Sequence, residues 1–134
     1  QSAYVLKRPD VSDKDIALLF NRTYKVLNSL HKAENEYAAC DAPLLYCLGV
    51  GYDVRSEAAE NGGRADLTFE MPGRRLVIEM KCARDGESPE KKLEEAKAQL
   101  LKHDYGNYIP VKKTRRFAMV FSVPEQKIVL SEEV

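Results

Sequence analysis

The sequence lacks several features that define common classes of protein. Its 134 residues include no tryptophan, two histidines and three cysteines. Cys40, Cys47 and Cys82 are odd in number and show no Cys-x-x-Cys or Cys/His spacing, which argues against a disulfide framework and against a structural zinc site. We therefore interpret them as reduced thiols in a cytoplasmic protein.

Long apolar runs and an excess of one charge are also missing. No run approaches the roughly 18 residues needed to cross a bilayer, which excludes a membrane span. Lys and Arg together number 21, as do Asp and Glu, so any nucleic-acid binding must come from local basic patches. A glycine-rich phosphate loop, a nucleophile elbow and paired histidine ligands are absent too, which disfavours several other enzyme classes.

The length fits one domain. Because the chain begins at Gln1 without an initiator Met, we expect it to be a fragment of a longer protein.

Helical periodicity dominates the first third of the chain. It predicts a first helix from Ser12, which suits the N-cap position, to about His31. A second helix is predicted over 34–48, with Pro43 as a kink or break. The apolar stripe predicted for this helix comprises Tyr37, Cys40, Leu44, Leu45 and Leu48.

The rest of the chain alternates as strands do, with one further helix. Strands are predicted over 52–56, 64–71 and 75–82, followed by a helix over 89–103, a buried strand over 117–121 and an edge strand over 126–130. The order is ααβββαββ. Because a helical crossover returns the chain to the same end of a sheet, we expect the third and fourth strands to be parallel.

The second and third strands form a hairpin whose turn determines where three charged residues lie. A turn centred on Pro72-Gly73 with two or four residues places Asp66 opposite Glu79, with Lys81 on the same face. A three- or five-residue loop would separate the two carboxylates. Facing carboxylates need a compensating cation, and Mg²⁺ is typically held by one or two such groups.

The alternative is an unremarkable ion pair on a solvated strand, since Glu-x-Lys is common by chance. Val77, Ile78 and Met80 are apolar and favour burial of this strand, which supports a functional interpretation.

Four segments together resemble the PD-(D/E)XK nuclease superfamily, most closely its bacterial branch in which the domain follows an AAA-ATPase-like domain. They are Gly51 to Glu57, Gly63 to Leu67, Leu76 to Lys81, and Ala96 to Tyr105. The resemblance covers about residues 34–131. It implies an α/β fold with a restriction-endonuclease-like αβββαβ core and a mixed sheet flanked by helices.

The resemblance also implies roles for individual residues. Asp66 and Glu79 would bind Mg²⁺ or Mn²⁺, and Lys81 would position or activate the attacking water. Ala65 replaces the proline of the family motif, which weakens the sequence signal more than the chemistry. Gln99 and Tyr105 correspond to a glutamine and a tyrosine that extend the site in several branches; an exposed amide and a core lid are the structural alternatives.

Further carboxylates are candidates for the metal site. Some branches add a glutamate from the first core helix, and either Glu36 or Glu34 occupies that segment, with no basis in the sequence for choosing between them. Glu57 is another candidate outer ligand. For each, a solvent-exposed structural role is the alternative.

The candidate phosphate contacts are basic side chains near this hairpin and near the fourth strand, because affinity for nucleic acid is mainly phosphate neutralisation. They are Arg64, Lys112, Lys113, Arg115 and Arg116. For the basic cluster, a solvated loop flanking a buried strand is the alternative.

The expected activity is a metal-dependent nuclease, a hydrolase of phosphodiester bonds in nucleic acid, with DNA as the expected substrate and a metal-activated water as nucleophile. The alternative is an inactive nuclease-like module that binds nucleic acid or a partner and is attached to an ATPase-like domain. We divide the chain into an N-terminal helical extension, 1–33, and a nuclease-like domain, 34–134.

Overall fold

The computed structural model describes residues 2–28, 31–60, 63–102 and 113–134, with the backbone alone at 57–60 and 63–65. A short 3₁₀ helix, Val5–Lys7, precedes α1, Asp13–Leu27, and α2, Glu36–Gly49. The remaining elements are β1, Asp53–Glu60; β2, Gly63–Met71; β3, Arg74–Ala83; α3, Pro89–Lys102; β4, Lys113–Ser122; and β5, Lys127–Glu133. This confirms the predicted order of helices and strands.

The five strands form one mixed sheet in the order β1-β2-β3-β4-β5. β3 and β4 are parallel and joined through α3, whereas the other neighbours are antiparallel. The predicted parallel pair and the predicted edge position of the last strand are thus confirmed. The interior strand β4 is buried on both faces from Phe117 to Phe121, as its continuous apolar run indicates.

The β2–β3 hairpin has the two-residue turn that the sequence predicts. Met71 faces Arg74 across Pro72-Gly73, and Gly73 takes a positive φ of 76° that a side chain would disfavour. The register runs unbroken to Leu67 opposite Ile78. Asp66 and Glu79 are therefore the next residues on their strands.

The sheet separates two cores of different size. The larger core lies between the sheet and helices α1 and α2, and its largest buried side chains include Phe20, Phe69, Ile78 and Phe117. The smaller core lies under α3 and comprises Val77, Ala96, Leu100 and Ala118. Alternation along β3 sends even-numbered side chains into the large core and odd-numbered ones toward α3.

Helix α1 begins where predicted and ends earlier. The Ser12 hydroxyl accepts from the backbone N–H of Asp15, while the Asp15 carboxylate accepts from the N–H of Ser12, which forms a reciprocal capping box. The helix ends at Leu27, not at His31. Its buried side chains belong to the large core shared with the sheet. The division into an extension and a domain at residue 33 stays a prediction.

Helix α2 buries a different face from the one predicted. Tyr37, Leu45 and Leu48 are 52%, 62% and 49% exposed, so their assignment to the buried stripe is wrong. The buried face consists mainly of small residues: Ala39, Cys40, Ala42, Pro43 and Cys47. The helix is apolar on both sides, so periodicity alone does not identify the buried face. The small side chains on the buried face allow the helix to approach the sheet closely.

Pro43 lies inside α2 without ending it. Proline has no N–H, so the carbonyl of Ala39, one turn earlier, lacks its helical donor. The hydroxyl of Tyr24 on α1 donates to that carbonyl at 2.7 Å. A buried side chain from the neighbouring helix thus supplies the hydrogen bond that the proline removes.

Among the described residues, the helices are too short or too polar to cross a membrane.

Candidate active site

The candidate site lies where β2 and β3 cease to pair. Among the described residues, pairs between these strands end at Leu67 and Ile78, while β2 continues to Gly63 alongside β1. Beyond that point, a side chain accepts the hydrogen bond from β3 that the backbone of the neighbouring strand would otherwise accept. Oδ2 of Asp66 accepts a hydrogen bond from the N–H of Met80 at 2.6 Å.

A second carboxylate caps the next N–H that points the same way. Glu36, the first residue of α2, crosses to β3, where its Oε2 accepts from the N–H of Cys82 at 2.9 Å. Alternate N–H groups of a strand share one side and lie about 6.6 Å apart. Carboxylates from β2 and α2 therefore meet along one short segment of β3.

The structure distinguishes between the two glutamates that the sequence left open. Glu34 precedes the helix and is exposed, whereas Glu36 is partly buried and reaches β3. Asn35 between them caps α2, since its Oδ1 accepts from the N–H of Ala38. The cap places Glu36 in the first turn, directed at the sheet.

Glu79 and Lys81 flank Met80 on β3. Glu79 is only 3% exposed, and its Oε2 lies 3.9 Å from Nζ of Lys81, an ion pair too long for a hydrogen bond. The Lys81 side chain is 25% exposed. Its ammonium group is thus available to solvent while remaining beside the buried carboxylate.

Burial and the negative charge of these carboxylates together raise the pKa of two buried thiols. The pKa of Cys40 is raised well above its usual value, first by burial and then by the charge of Asp66, with a smaller effect of Glu79. The pKa of Cys82 is raised to about 12, first by burial and then by the charge of Glu36. The site therefore concentrates negative charge in a poorly solvated region, which favours a cation.

The residues present fit a hard divalent ion by their chemistry, because carboxylate oxygens are the ligands that Mg²⁺ and Mn²⁺ prefer. Asp66, Glu79 and Glu36 are the candidate ligands. Within the described parts of the chain, however, no three His, Cys, Asp or Glu side chains already stand in positions to share an ion. Binding one ion would bring the three side chains closer together, while the backbone N–H groups that Asp66 and Glu36 accept from can still orient these carboxylates.

The other predicted site residues are placed less fully. Gln99 is partly buried on α3, the helix whose Ala96 and Leu100 pack on the sheet. Glu57 lies on β1 and Arg64 on β2, at positions where the structure describes the backbone alone. Tyr105 and Lys112 lie outside the described residues.

The described basic residues lie along β4 at different distances from Lys81. Lys113 pairs with Arg74 and Arg116 with Val77, whereas Lys81 pairs with Val120. Lys113 is thus seven steps, about 23 Å, and Arg116 four steps, about 13 Å, from Lys81 along the strands. The nucleic-acid role of this cluster stays a prediction.

Arg115 already has protein partners. Its guanidinium binds the Glu133 carboxylate through two hydrogen bonds of 2.8 and 2.7 Å and also donates to the Pro9 carbonyl at 3.1 Å. It lies 5.2 Å from the centre of the Phe117 ring. These contacts give Arg115 a structural role, and phosphate binding would have to compete with them.

The sequence did not predict the hydrogen bonds that hold the site residues and helix α2 in place. Nothing in the sequence singles out the N–H groups of Met80 and Cys82, because a strand pattern predicts that neighbouring backbone fills them. Periodicity places Tyr24 only on the apolar stripe of a helix. The signal that could have identified its role is Pro43, since a proline inside a helix leaves one carbonyl that needs another donor.

The five-stranded mixed sheet flanked by helices, with carboxylates at a divergence of two strands, defines a restriction-endonuclease-like domain. A family model of the PD-(D/E)XK nuclease superfamily matches residues 32–133, so the chain belongs to this superfamily. The predicted family and fold class are confirmed. A search of curated proteins found none that matches. Membership suggests a nuclease acting on nucleic acid, and such nucleases generally use divalent metal ions.

Proposed function

We propose that this chain hydrolyses phosphodiester bonds of DNA with Mg²⁺ or Mn²⁺, and that Asp66, Glu79 and Lys81 form its active site. One observation carries the proposal: Asp66 and Glu36 converge on alternate N–H groups of β3 beside the Glu79–Lys81 pair. DNA as substrate, the choice of ion, and attachment to an ATPase-like domain in a bacterial protein rest on the resemblance, whereas a cytoplasmic location rests on the cysteines.

Asp66 and Glu79 would hold the ion, with Glu36 as a further ligand. When bound, a divalent ion lowers the pKa of water and offsets charge on the phosphate. The Lys81 ammonium would stabilise the negative charge that develops on the phosphate as water attacks phosphorus and the P–O bond to the leaving oxygen breaks. Glu79 keeps that ammonium at the site through their ion pair.

The N–H groups of Met80 and Cys82 would support two of these ligands. They donate to Oδ2 of Asp66 and to Oε2 of Glu36. Hydrogen bonds of this kind orient a carboxylate while its remaining lone pairs take a metal ion.

The test is calorimetry with Mn²⁺ and Mg²⁺ on the wild type, Asp66→Asn, Glu79→Gln and Lys81→Met, with nicking of plasmid DNA and cleavage of RNA measured on the same samples. We expect Asp66→Asn and Glu79→Gln to weaken metal binding and nicking by more than about 100-fold, since second-layer groups alone account for 10- to 100-fold. Lys81→Met should slow nicking while metal still binds.

Asp13→Asn is the matched control, because Asp13 accepts a 2.6 Å hydrogen bond from Ser131 away from the site. It should behave as wild type. Cleavage of RNA but not DNA would overturn the substrate assignment. Wild-type metal affinity in both carboxylate variants would overturn the site.

A second function has one observation in its favour. Asp66 and Glu36 are hydrogen-bonded to backbone, and among the described residues no three ligands stand ready for an ion. This arrangement suits an inactive module that binds nucleic acid or a partner. Such a module would bind DNA in a gel-shift assay yet yield no product with any divalent ion.

A further inference from the structure

Gln126, in the turn between β4 and β5, has an unusual backbone conformation. Its φ is 54°, in the left-handed region that non-glycine residues rarely adopt. Such a conformation costs free energy and persists when surrounding contacts hold it. In Gln126 the contacts come from its own side chain.

The Gln126 amide binds the backbone of one residue at two points. Its Oε1 accepts from the N–H of Ala33 at 2.8 Å, and its Nε2 donates to the carbonyl of Ala33 at 2.7 Å. The same Nε2 donates to the carbonyl of Val123 at 2.7 Å. Ala33 is buried, so losing this amide would leave buried backbone groups unmet.

This clamp connects the entry of α2 to the end of the sheet that carries the candidate site. Ala33 lies three residues before Glu36, the carboxylate that caps Cys82. On the other side of the clamp, Ser122 pairs with Ala83, and the N–H of Val123 donates to the Ala83 carbonyl at 2.9 Å. Gln126 therefore fixes the start of α2 relative to the residue that follows Cys82 on β3.

We propose that Gln126 is a positioning residue that holds Glu36 on the N–H of Cys82, and so sets the position of the third carboxylate at the metal site. The positioning of Glu36 stands on the contacts above. Its effect on metal binding rests on the proposed function.

A general contribution to stability is the competing explanation, and the chain offers a matched control for it. The Asn21 amide binds the backbone of another residue in the same way: Oδ1 accepts from the N–H of Ile128 at 2.7 Å, and Nδ2 donates to its carbonyl at 3.1 Å. That clamp joins α1 to β5 and does not reach α2. Removing each amide deletes the same kind of contact in two different places.

The experiment compares the wild type, Gln126→Gly, Gln126→Asn, Asn21→Ala and Glu36→Ala. Glycine adopts positive φ freely, so Gln126→Gly removes the clamp without adding strain. Asn also tolerates positive φ, but its side chain is one methylene too short to reach Val123 and both groups of Ala33. Amide hydrogen exchange of Cys82 is measured relative to that of Met119, which lies in the interior strand β4 and is fully buried.

We expect Cys82 exchange, relative to Met119, to rise about 10-fold in both Gln126 variants and in Glu36→Ala, as the loss of one buried hydrogen bond predicts. Asn21→Ala should change both amides equally. Mn²⁺ affinity should fall about 10-fold in the Gln126 variants, the usual effect of releasing a ligand's support. Adding Glu36→Ala to Gln126→Gly should cause no further rise in Cys82 exchange.

Equal changes at Cys82 and Met119 in the Gln126 variants would overturn the positioning role. If the wild type binds Mn²⁺ and these variants bind it with the same affinity, the link between Gln126 and the metal site is overturned. The positioning of Glu36 by Gln126 is not affected by that outcome. If the wild type binds no Mn²⁺, the proposed function fails, while hydrogen exchange at Cys82 still decides whether Gln126 positions Glu36.

Discussion

The two ends of β3 carry charged side chains in contrasting arrangements. At the N-terminal end, cations have close partners: Arg75 binds Glu70 with contacts of 2.9 and 2.5 Å, and Arg115 on the adjacent strand binds Glu133 at 2.7 Å. At the C-terminal end, Asp66 and Glu36 accept from N–H groups of β3, and Glu79 pairs with Lys81 between them in sequence on that strand.

The difference separates charge that stabilises the fold from charge suited to chemistry. A bidentate ion pair satisfies both partners and gains little from a further ligand. Several carboxylates beside one ammonium leave negative charge that an added cation would neutralise. A basic patch in the sequence is therefore weaker evidence of binding than an acidic excess in the structure.

The largest effect that would test this contrast is at Arg75, which is 3% exposed. Arg75→Met leaves the Glu70 carboxylate poorly compensated, so we expect the free energy of unfolding in urea to fall by about 3–5 kcal/mol. Metal affinity of the folded protein should persist. Replacing both Arg75 and Glu70 by leucine should restore most of the lost stability. An Arg75→Met variant as stable as the wild type would contradict the structural role of this ion pair.

A smaller effect concerns the helix that supplies Glu36. Tyr24→Phe removes the donor to the Ala39 carbonyl, so the free energy of unfolding should fall by about 1 kcal/mol. In a Pro43→Ala background the new N–H of residue 43 can serve that carbonyl. Tyr24→Phe should therefore cost less there, as a double-mutant cycle by denaturant unfolding would measure. An equal cost in both backgrounds would contradict this account.

The smallest effect is the pH dependence of the pair at the far end of the sheet. Hydrogen bonds from Arg115 lower the pKa of Glu133 in the folded protein. The resulting stability is present above the ordinary glutamate pKa and is lost as pH falls through the lowered value. Glu133→Gln should cost a few tenths of a kcal/mol at pH 7, after allowance for solvent screening, and less at pH 3.

Urea unfolding at the two pH values would measure the loss. Glu125→Gln serves as the control, since Glu125 lies 3.8 Å from Lys127 on an exposed turn. A loss of stability on Glu133→Gln that is larger at pH 3 than at pH 7 would contradict the lowered pKa of Glu133.

Local patterns allow much of this fold to be predicted. Ser12 and Asp15 form the start of α1 within four residues, and Pro72-Gly73 determines the hairpin register, so local signals are enough to put Asp66 and Glu79 one step beyond the last pair of β2 and β3. Both signals work because dihedral preferences and strand alternation act between close neighbours in sequence.

Packing between distant segments decided the rest. The choice of Glu36 over Glu34, the buried face of α2, the hydrogen bond from Tyr24 that accommodates Pro43, and the distance of Lys113 from Lys81 all depend on how helices and strands meet. The sequence by itself determined the order of elements and the hairpin carrying Asp66, Glu79 and Lys81. Only the tertiary structure brought Glu36 to that hairpin and Gln126 to the start of α2, because those contacts join residues 46 and 93 positions apart, where no local periodicity reaches.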